Sequence, residues 1–420
     1  MSKDRAFSFK ILGINFWRYR LAFVITTIGN MAVSIAITWW IIDFYHKAIY
    51  VSYVMIPSVI VAILTNFLLA PLGDKFDRKK IIEMGLMIQF FSCFIILLPQ
   101  LLDQLSLSFF IVFYLLFSLG GGIVRVGSMG FIANIVNKSH LLLANNMIMR
   151  INALVSILSG VIGGVLFYQF GLLYAFLLLM LLQIIALILI HRINILFEKE
   201  GHRKNKINWL IGDLYQGIQY TLKSKILSSL FVYSLIVGLA FGPMQLIIIY
   251  LIKIKFELNA FSYGIAMSFM AIGVVFGSLI YHKVASIFQL KSRFVFFSSY
   301  LFCVAFILLG LFNYLIIFSI SLLLIGMARN WINVTVDTRL LTALPDKIRT
   351  RVLANMSFFG NISVPIANLF TGFILDNSHI FIILSFNCIM TLLASCVFVF
   401  NQSVIRFIDL EDEDYTQFLK

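Results

Sequence analysis

From Ala48 to Gly73 the chain carries no charged residue. Leu21 to Ile42 is a second such run, 22 residues long, and comparable stretches recur to the end of the sequence. An α-helix rises 1.5 Å per residue, so about 20 apolar residues cross a hydrocarbon core of about 30 Å. One such run can hide inside a soluble core, but a long series of them cannot. Composition agrees, with 61% hydrophobic and 12% charged residues against about 25% charged in soluble domains. The runs are expected to be membrane-spanning helices, because hydrocarbon offers no partner to an open backbone.

Twelve spans are expected, over 20–43, 51–73, 81–99, 107–130, 142–168, 171–191, 227–250, 260–281, 294–311, 314–336, 352–375 and 379–401. The first follows Lys3, Arg5, Lys10, Arg18 and Arg20, which could suggest a signal peptide. A secretory apolar region is only about 7–15 residues long and ends at a small-residue cleavage site. Neither condition holds, so this is read as a permanent span. Of 32 lysines and arginines, only Lys47, Lys253 and Lys255 fall in outer segments when both termini are placed inside. Arg125, Arg150 and Arg329 fall within spans, and the rest lie on the inner side. Basic residues favour the cytoplasmic side, which predicts an inner-membrane protein with both termini cytoplasmic. The net charge of +14 then reflects attraction to anionic membrane lipid and not nucleic acid, since the cations are scattered over short loops.

Four divisions follow: an N-terminal six-helix bundle (1–191), a cytoplasmic linker (192–226), a C-terminal six-helix bundle (227–401) and an acidic tail (402–420). In the linker, Ile207, Leu210, Ile211, Leu214, Ile218 and Leu222 repeat at helical spacing, which predicts an amphipathic surface helix. The tail carries EDED over 411–414 and reads as solvated. Cys93, Cys303, Cys388 and Cys396 lie in apolar runs without a CxxC pair and are expected to be packing residues, with no metal site or disulfide framework. The halves echo each other. Gly122-Ile-Val-Arg125 in span four matches Gly326-Met-Ala-Arg329 in span ten, and LLLANNM (141–147) matches RVLANM (351–356). A repeated six-span unit points to a secondary transporter whose two bundles rock about a site between them.

Between spans two and three stands PLGDKFDRKK (71–80), with two carboxylates and four cations in its last seven positions. It resembles the loop signature of the major facilitator superfamily, roughly G-x-L-A-D-R-x-G-R-K. Ala70 stands for the first glycine and Asp77 for the second. The D-x-x-D-R-K-K form, the linker phrase GDLYQGIQYTLKSKIL and the ANNM stretch of span five are similar to the branch containing macrolide efflux proteins and siderophore exporters. The resemblance implies an all-α membrane fold of two pseudo-symmetric six-helix bundles. It also implies that Gly73, Asp74 and Arg78 belong to a gate, with Asp74 meeting the positive end of span eleven near Arg351 to Ser357. A carboxylate is stabilised at a helix N-terminus, and contacts made only in one state bias that state. A plain positive-inside anchor accounts for Lys79 and Lys80. The matching loop GSLIYHKVAS, from Gly277, has Tyr281 where the aspartate would be. Span five reads Ser159-Gly160-Val-Ile-Gly163-Gly164 and lacks the proline of drug/proton antiporters, which argues against that activity and keeps close helix packing.

The resemblance also implies that spans one, four, seven and ten line the central path. Span one carries Thr26, Asn30, Ser34 and Thr38 on one face, either as path lining or as small-residue packing. Arg125 and Arg329 would suit a carboxylate-bearing substrate through bidentate pairing. Alternatively, an internal ion pair engages them, such as Arg329 with Asp337. Arg329, Asn333 and Asp337 share one face. Arg150, one turn after Asn146, is assigned to gating. Asp43 and Asp337 are the carboxylates nearest the path and the candidates for proton coupling, and the histidines all lie at span ends or in loops. Asp74-x-x-Asp77 superficially suits magnesium-diphosphate binding, but the second aspartate cluster of such enzymes is missing. An enzyme is not expected, nor a cofactor, and without a P-loop ATP is not the driver. The reading is a monomeric, proton-linked exporter of a small amphipathic organic molecule, foremost a carboxylate-type siderophore or related anionic metabolite. Macrolide-type antibiotic efflux, or import of a nutrient or siderophore, are the alternatives.

Overall fold

The structure, a computed structural model, describes residues 2–69, 76–195, 224–311, 314–343, 346–377 and 380–409. Gly73 and Asp74, the expected linker helix and the acidic EDED run lie outside the described residues. Everything regular among the described residues is helical. The main helices are α1 (Ser2–Tyr45), α2 (Ile49–Leu69), α3 (Arg78–Ser92), α4 (Phe94–Leu101), α5 (Leu107–Ser128) and α6 (Leu141–His191). They continue as α7 (Lys225–Phe241), α8 (Met244–Tyr250), α9 (Ala260–Ala285), α10 (Lys291–Leu311) and α11 (Leu315–Ala343), then α12 (Asp346–Asp376), α13 (Ile380–Phe400) and α14 (Gln402–Asp409).

Nine helices among the described residues are long and apolar enough to cross a membrane. One is the 51-residue α6, which holds two expected spans on either side of Gly171. There φ is +76°, a left-handed conformation that costs a residue with a Cβ about 1–2 kcal/mol. Ile49–Thr65 is a shorter apolar helix at the place of span two, and the 31-residue α12 lies at that of span eleven. Among the described residues each expected span therefore falls largely on helix. One boundary differs in a way that matters. α5 ends at Ser128 and the chain turns at Gly130, where φ is +72°. Arg125 thus sits in the last turn of its helix and not well inside a span.

The chain divides into two compact units, residues 1–205 with Leu258–Ile265, and residues 206–257 with 266–420. In the first unit, α3 and α5 touch backbone to backbone. A Cβ on Gly85 would lie 2.6 Å from the Gly120 carbonyl, and one on Gly120 2.7 Å from that of Gly85. Gly163 of α6 packs closely on Ala32 of α1, where a Cβ would lie 3.0 Å from the Ala32 amide nitrogen, the close packing expected of that glycine pair. The end of α6 is held by side chains from α1 and α3. Lys79 Nζ donates to the His191 carbonyl (2.6 Å) and the Ile193 carbonyl (3.0 Å), and Arg18 Nη1 donates to that of Arg192 (2.6 Å). His191 Nδ1 lies 3.2 Å from Glu83 Oε1. Cations are stabilised where a helix leaves its last carbonyls unpaired, so Lys79 is more than a generic anchor. Asp77 caps α3 by accepting from the Lys79 amide at 2.9 Å. Arg78 lies with its guanidinium over Gly130, where a side chain would collide with it.

The second unit repeats the plan with different details. Its core gathers Leu227, Leu230, Val295, Ile332 and Phe398 with Val404, Phe407 and Ile408 of α14. Asp409, at the end of α14, accepts from the Ser292 amide (2.8 Å) and hydroxyl (2.6 Å) at the start of α10. The repeat seen in the sequence is physical. A Cβ on Gly122 would strike Thr65 of α2, and one on Gly326 would strike the Met270 carbonyl of α9. Tyr281, where the second half lacks the loop aspartate, lies 3.0 Å from Thr335 Oγ1. Thr335 gives its own proton to the Trp331 carbonyl at 2.8 Å, so Tyr281 is the donor. Cys303 and Cys388, 85 residues apart, lie side by side as free thiols, each donating to the other's carbonyl (3.5 and 3.7 Å).

Candidate functional site

A cavity of about 640 Å³ opens inside the second unit between α7, α8, α9, α11 and α12. Sites for small organic molecules occupy roughly 300–1,000 Å³. Local sequence makes the room. The seventh span is not one helix: α7 stops at Phe241, Gly242 follows, and Pro243 precedes α8. Proline has no amide proton and clashes with the carbonyl four residues back, so the helix breaks there. Phe241, Gly242, Met244 and Gln245 around the break all line the cavity. A Cβ on Gly238 would collide with the Gly360 carbonyl and the Ser363 hydroxyl, and one on Gly242 would lie 3.1 Å from Val364 Cα. These contacts bring α7 and α12 together behind the opening.

Polar chemistry comes from α11. Arg329, Asn333 and Asp337 recur every fourth residue, and all three side chains are open to the cavity. Arg329 Cζ stands 5.3 Å from the centre of the Phe241 ring, a cation–π contact worth about 0.5–2 kcal/mol. The ion pair considered from sequence, Arg329 with Asp337, is not formed among the described residues. Tyr233 of α7, also lining the cavity, is 7% exposed and its hydroxyl has no partner. The remaining wall adds the polar Ser234, Gln245 and Asn361 and is otherwise rich in methionine: Met244, Met267, Met270 and Met356. A guanidinium above an aromatic ring, a carboxamide, a carboxylate and a soft wall can bind an amphipathic molecule with a charged end. Among the described residues Asp337 is the single carboxylate in this lining. Among the described residues no group of three or more His, Cys, Asp or Glu side chains could hold a metal.

Other candidates lie elsewhere. Asn30 is half-buried, with a carbonyl oxygen that has no partner. Ser34 lies beside the Tyr114 hydroxyl. Thr26 donates to the Ala22 and Phe23 carbonyls (2.9 and 3.0 Å) and Thr38 to that of Ser34 (2.7 Å), so both hydroxyls turn back on their own helix. Arg125 is exposed, as are Arg150 and Asn146 on one face of α6, and Asp43 is exposed near the end of α1. Two features went unread in the sequence. The Gly242-Pro243 pair signals a broken span, and carriers form their substrate sites on discontinuous helices. Arg20, counted among the loop cations, is 3% exposed, donates to Asn152 Oδ1 at 2.6 Å and covers the Phe23 ring at 4.7 Å.

The profile of the family described as transmembrane secretion effector, of the major facilitator type, matches residues 12–418. No curated protein matches the sequence. Among solved structures, a bacterial homologue of the iron transporter ferroportin in its inward-facing state is similar over 92% of this chain and 98% of its own, at 18% identity and a TM-score of 0.72. The nucleoside transporter NupG covers 92% of this chain and 98% of its own, at 12% identity and a TM-score of 0.73. A bacterial metal transporter covers 93% and 98%, at 15% identity and a TM-score of 0.67. At such identities the likeness establishes the fold alone. With the family profile spanning nearly the whole sequence, the chain belongs to the transmembrane secretion effector family and is a multi-pass membrane transporter of the major facilitator type.

Proposed function

We propose that the protein is a proton-linked secondary exporter of the inner membrane, with both termini in the cytoplasm, that works as a monomer by alternating access. Its substrate is a small amphipathic organic molecule bearing a carboxylate, foremost a carboxylate-type siderophore or related metabolite. It carries this molecule without covalent chemistry. One observation carries the reading: Arg329 presents a guanidinium to a 640 Å³ cavity, stacked on Phe241 and not paired to the Asp337 carboxylate. A cation in a membrane helix costs about 2.5–3.5 kcal/mol on insertion scales, and an anionic cargo gives it a use. A bare metal cation, of the kind moved by proteins of this fold, is disfavoured by the same charge. The methionine-rich wall favours a second reading, efflux of a bulky apolar antibiotic, since flexible thioethers adapt to many shapes.

The test uses inside-out membrane vesicles with an imposed proton gradient, a labelled polycarboxylate siderophore and, separately, a labelled macrolide. Siderophore uptake that collapses with a protonophore and is lost in Arg329→Ala supports the proposal. Macrolide uptake alone, indifferent to Arg329→Ala, overturns it in favour of the second reading. Siderophore uptake that requires right-side-out vesicles reverses the direction and makes the protein an importer.

A further inference from the structure

The charges on the cavity wall have a definite order. Arg329 and Asp337 lie two turns apart on α11 with Asn333 between them, all open to the cavity. Eight residues of helix separate their backbones by about 12 Å, and no ion pair joins them among the described residues. Asp337 is not alone at its end. Tyr233 lines the same cavity within electrostatic reach of it, with a buried hydroxyl that has no partner. A buried hydroxyl without a partner is costly, and a bound donor would satisfy it.

This arrangement discriminates by charge pattern. A dicarboxylate seated on Arg329 would turn its far end toward Asp337. A diamine seated on Asp337 would turn its far end toward Arg329. Like charges brought together across an interface are strongly disfavoured. A molecule with a carboxylate at one end and an ammonium at the other satisfies both. We propose that the cavity selects an amphoteric substrate, its carboxylate held by Arg329 and its ammonium by Asp337 and Tyr233, with Asn333 available to a polar group between them. The inference rests on the reading of this cavity as the transport site and narrows the carboxylate-bearing cargo to one that also carries an amine.

The experiment measures thermal unfolding of the full-length protein in detergent with three eight-carbon probes: ω-aminooctanoate, suberate and diaminooctane. The stabilisation expected is largest with ω-aminooctanoate. Asp337→Asn should lower the apparent affinity for that probe about tenfold, the size of one charge-assisted hydrogen bond, and leave suberate unchanged or slightly better. Tyr233→Phe should act in the same direction and less. A wild-type protein that binds suberate as well as ω-aminooctanoate, or a preference that survives Asp337→Asn, overturns the proposal and leaves the anion site intact. Carboxylate binding that persists in Arg329→Gln, or no stabilisation by any probe, overturns the proposal together with the assignment of the cavity.

Discussion

The two halves of the molecule follow one plan and part company in the first helix of each. In α1 the chain runs unbroken from Ile14 to Tyr45, and the hydroxyls of Thr26 and Thr38 are spent on its own carbonyls. In the matching place the second half stops at Phe241, loses an amide at Pro243 and opens a cavity. The paired arginines diverge in the same sense. Arg125 lies in the last turn of α5, where a cation is stabilised by the helix dipole. Arg329 lies mid-helix in α11, which continues to Ala343, so no helix end explains it. Matching sequence positions therefore need not have matching duties: the first half uses its arginine to finish a helix, and the second presents it to a cavity.

The largest expected effect tests that contrast directly. Arg329→Ala should reduce transport of a carboxylate substrate about a hundredfold, the loss of a charged hydrogen-bonding partner. Arg125→Ala should reduce it less than about threefold and lower thermal stability slightly. Rates of substrate uptake into vesicles, normalised to protein level, decide it, and equal losses would break the comparison. The broken helix comes next. Pro243→Ala restores the missing amide and removes a penalty of up to about 3 kcal/mol in a helix interior. The variant should unfold at a higher temperature and transport more slowly as the cavity wall closes, a trade of activity for stability. A variant that is both less stable and fully active would show that the break is merely tolerated.

Much of this was legible in the sequence because it rests on composition and period. Uncharged runs of membrane length located the spans, and Gly122-Ile-Val-Arg125 against Gly326-Met-Ala-Arg329 exposed the repeat that the glycine contacts with Thr65 and Met270 make physical. Four-residue spacing alone places Arg329, Asn333 and Asp337 on one helix face. What escaped was tertiary. Arg20 has the residue type and position of a loop cation, and only its contact with Asn152 makes it structural. Cys303 and Cys388 are 85 residues apart, so no spacing rule could pair them. Where α5 ends depends on the left-handed Gly130, and a hydropathy pattern cannot see a single dihedral angle.

The repeat itself can be weighed glycine against glycine. A methyl on Gly326 meets the Met270 carbonyl, whereas one on Gly122 meets the Thr65 side chain, 2.5 Å from Cγ2 and 2.7 Å from Cβ. Both sites are overpacked by any side chain, and overpacking costs about 1–3 kcal/mol. A carbonyl tied into helix α9 cannot retreat without breaking the ladder, while a threonine can change rotamer and lean away. Gly326→Ala should therefore fall near the upper end of that range and Gly122→Ala near the lower, as shifts of the unfolding temperature in detergent. The reverse order would mean that α2 is the stiffer partner.

The smallest effect concerns how each half caps its third helix. In the first half Asp77 accepts from the Lys79 amide two residues on, a local cap that asparagine provides equally well. Asp77→Asn should change stability by no more than a few tenths of a kcal/mol. In the second half the cap arrives from the far end of the chain, where both oxygens of Asp409 are engaged, one by the Ser292 amide and the other by its hydroxyl. An asparagine there keeps one acceptor and turns an NH₂ toward the second donor, so Asp409→Asn should cost about 1 kcal/mol. The same loss should loosen α14, since Asp409 fastens the end of a helix held otherwise by Val404, Phe407 and Ile408. Limited proteolysis near residue 409 should then be faster in Asp409→Asn than in Asp77→Asn. Equal rates would mean that the apolar face alone holds α14, and that the tertiary cap serves α10 and nothing further.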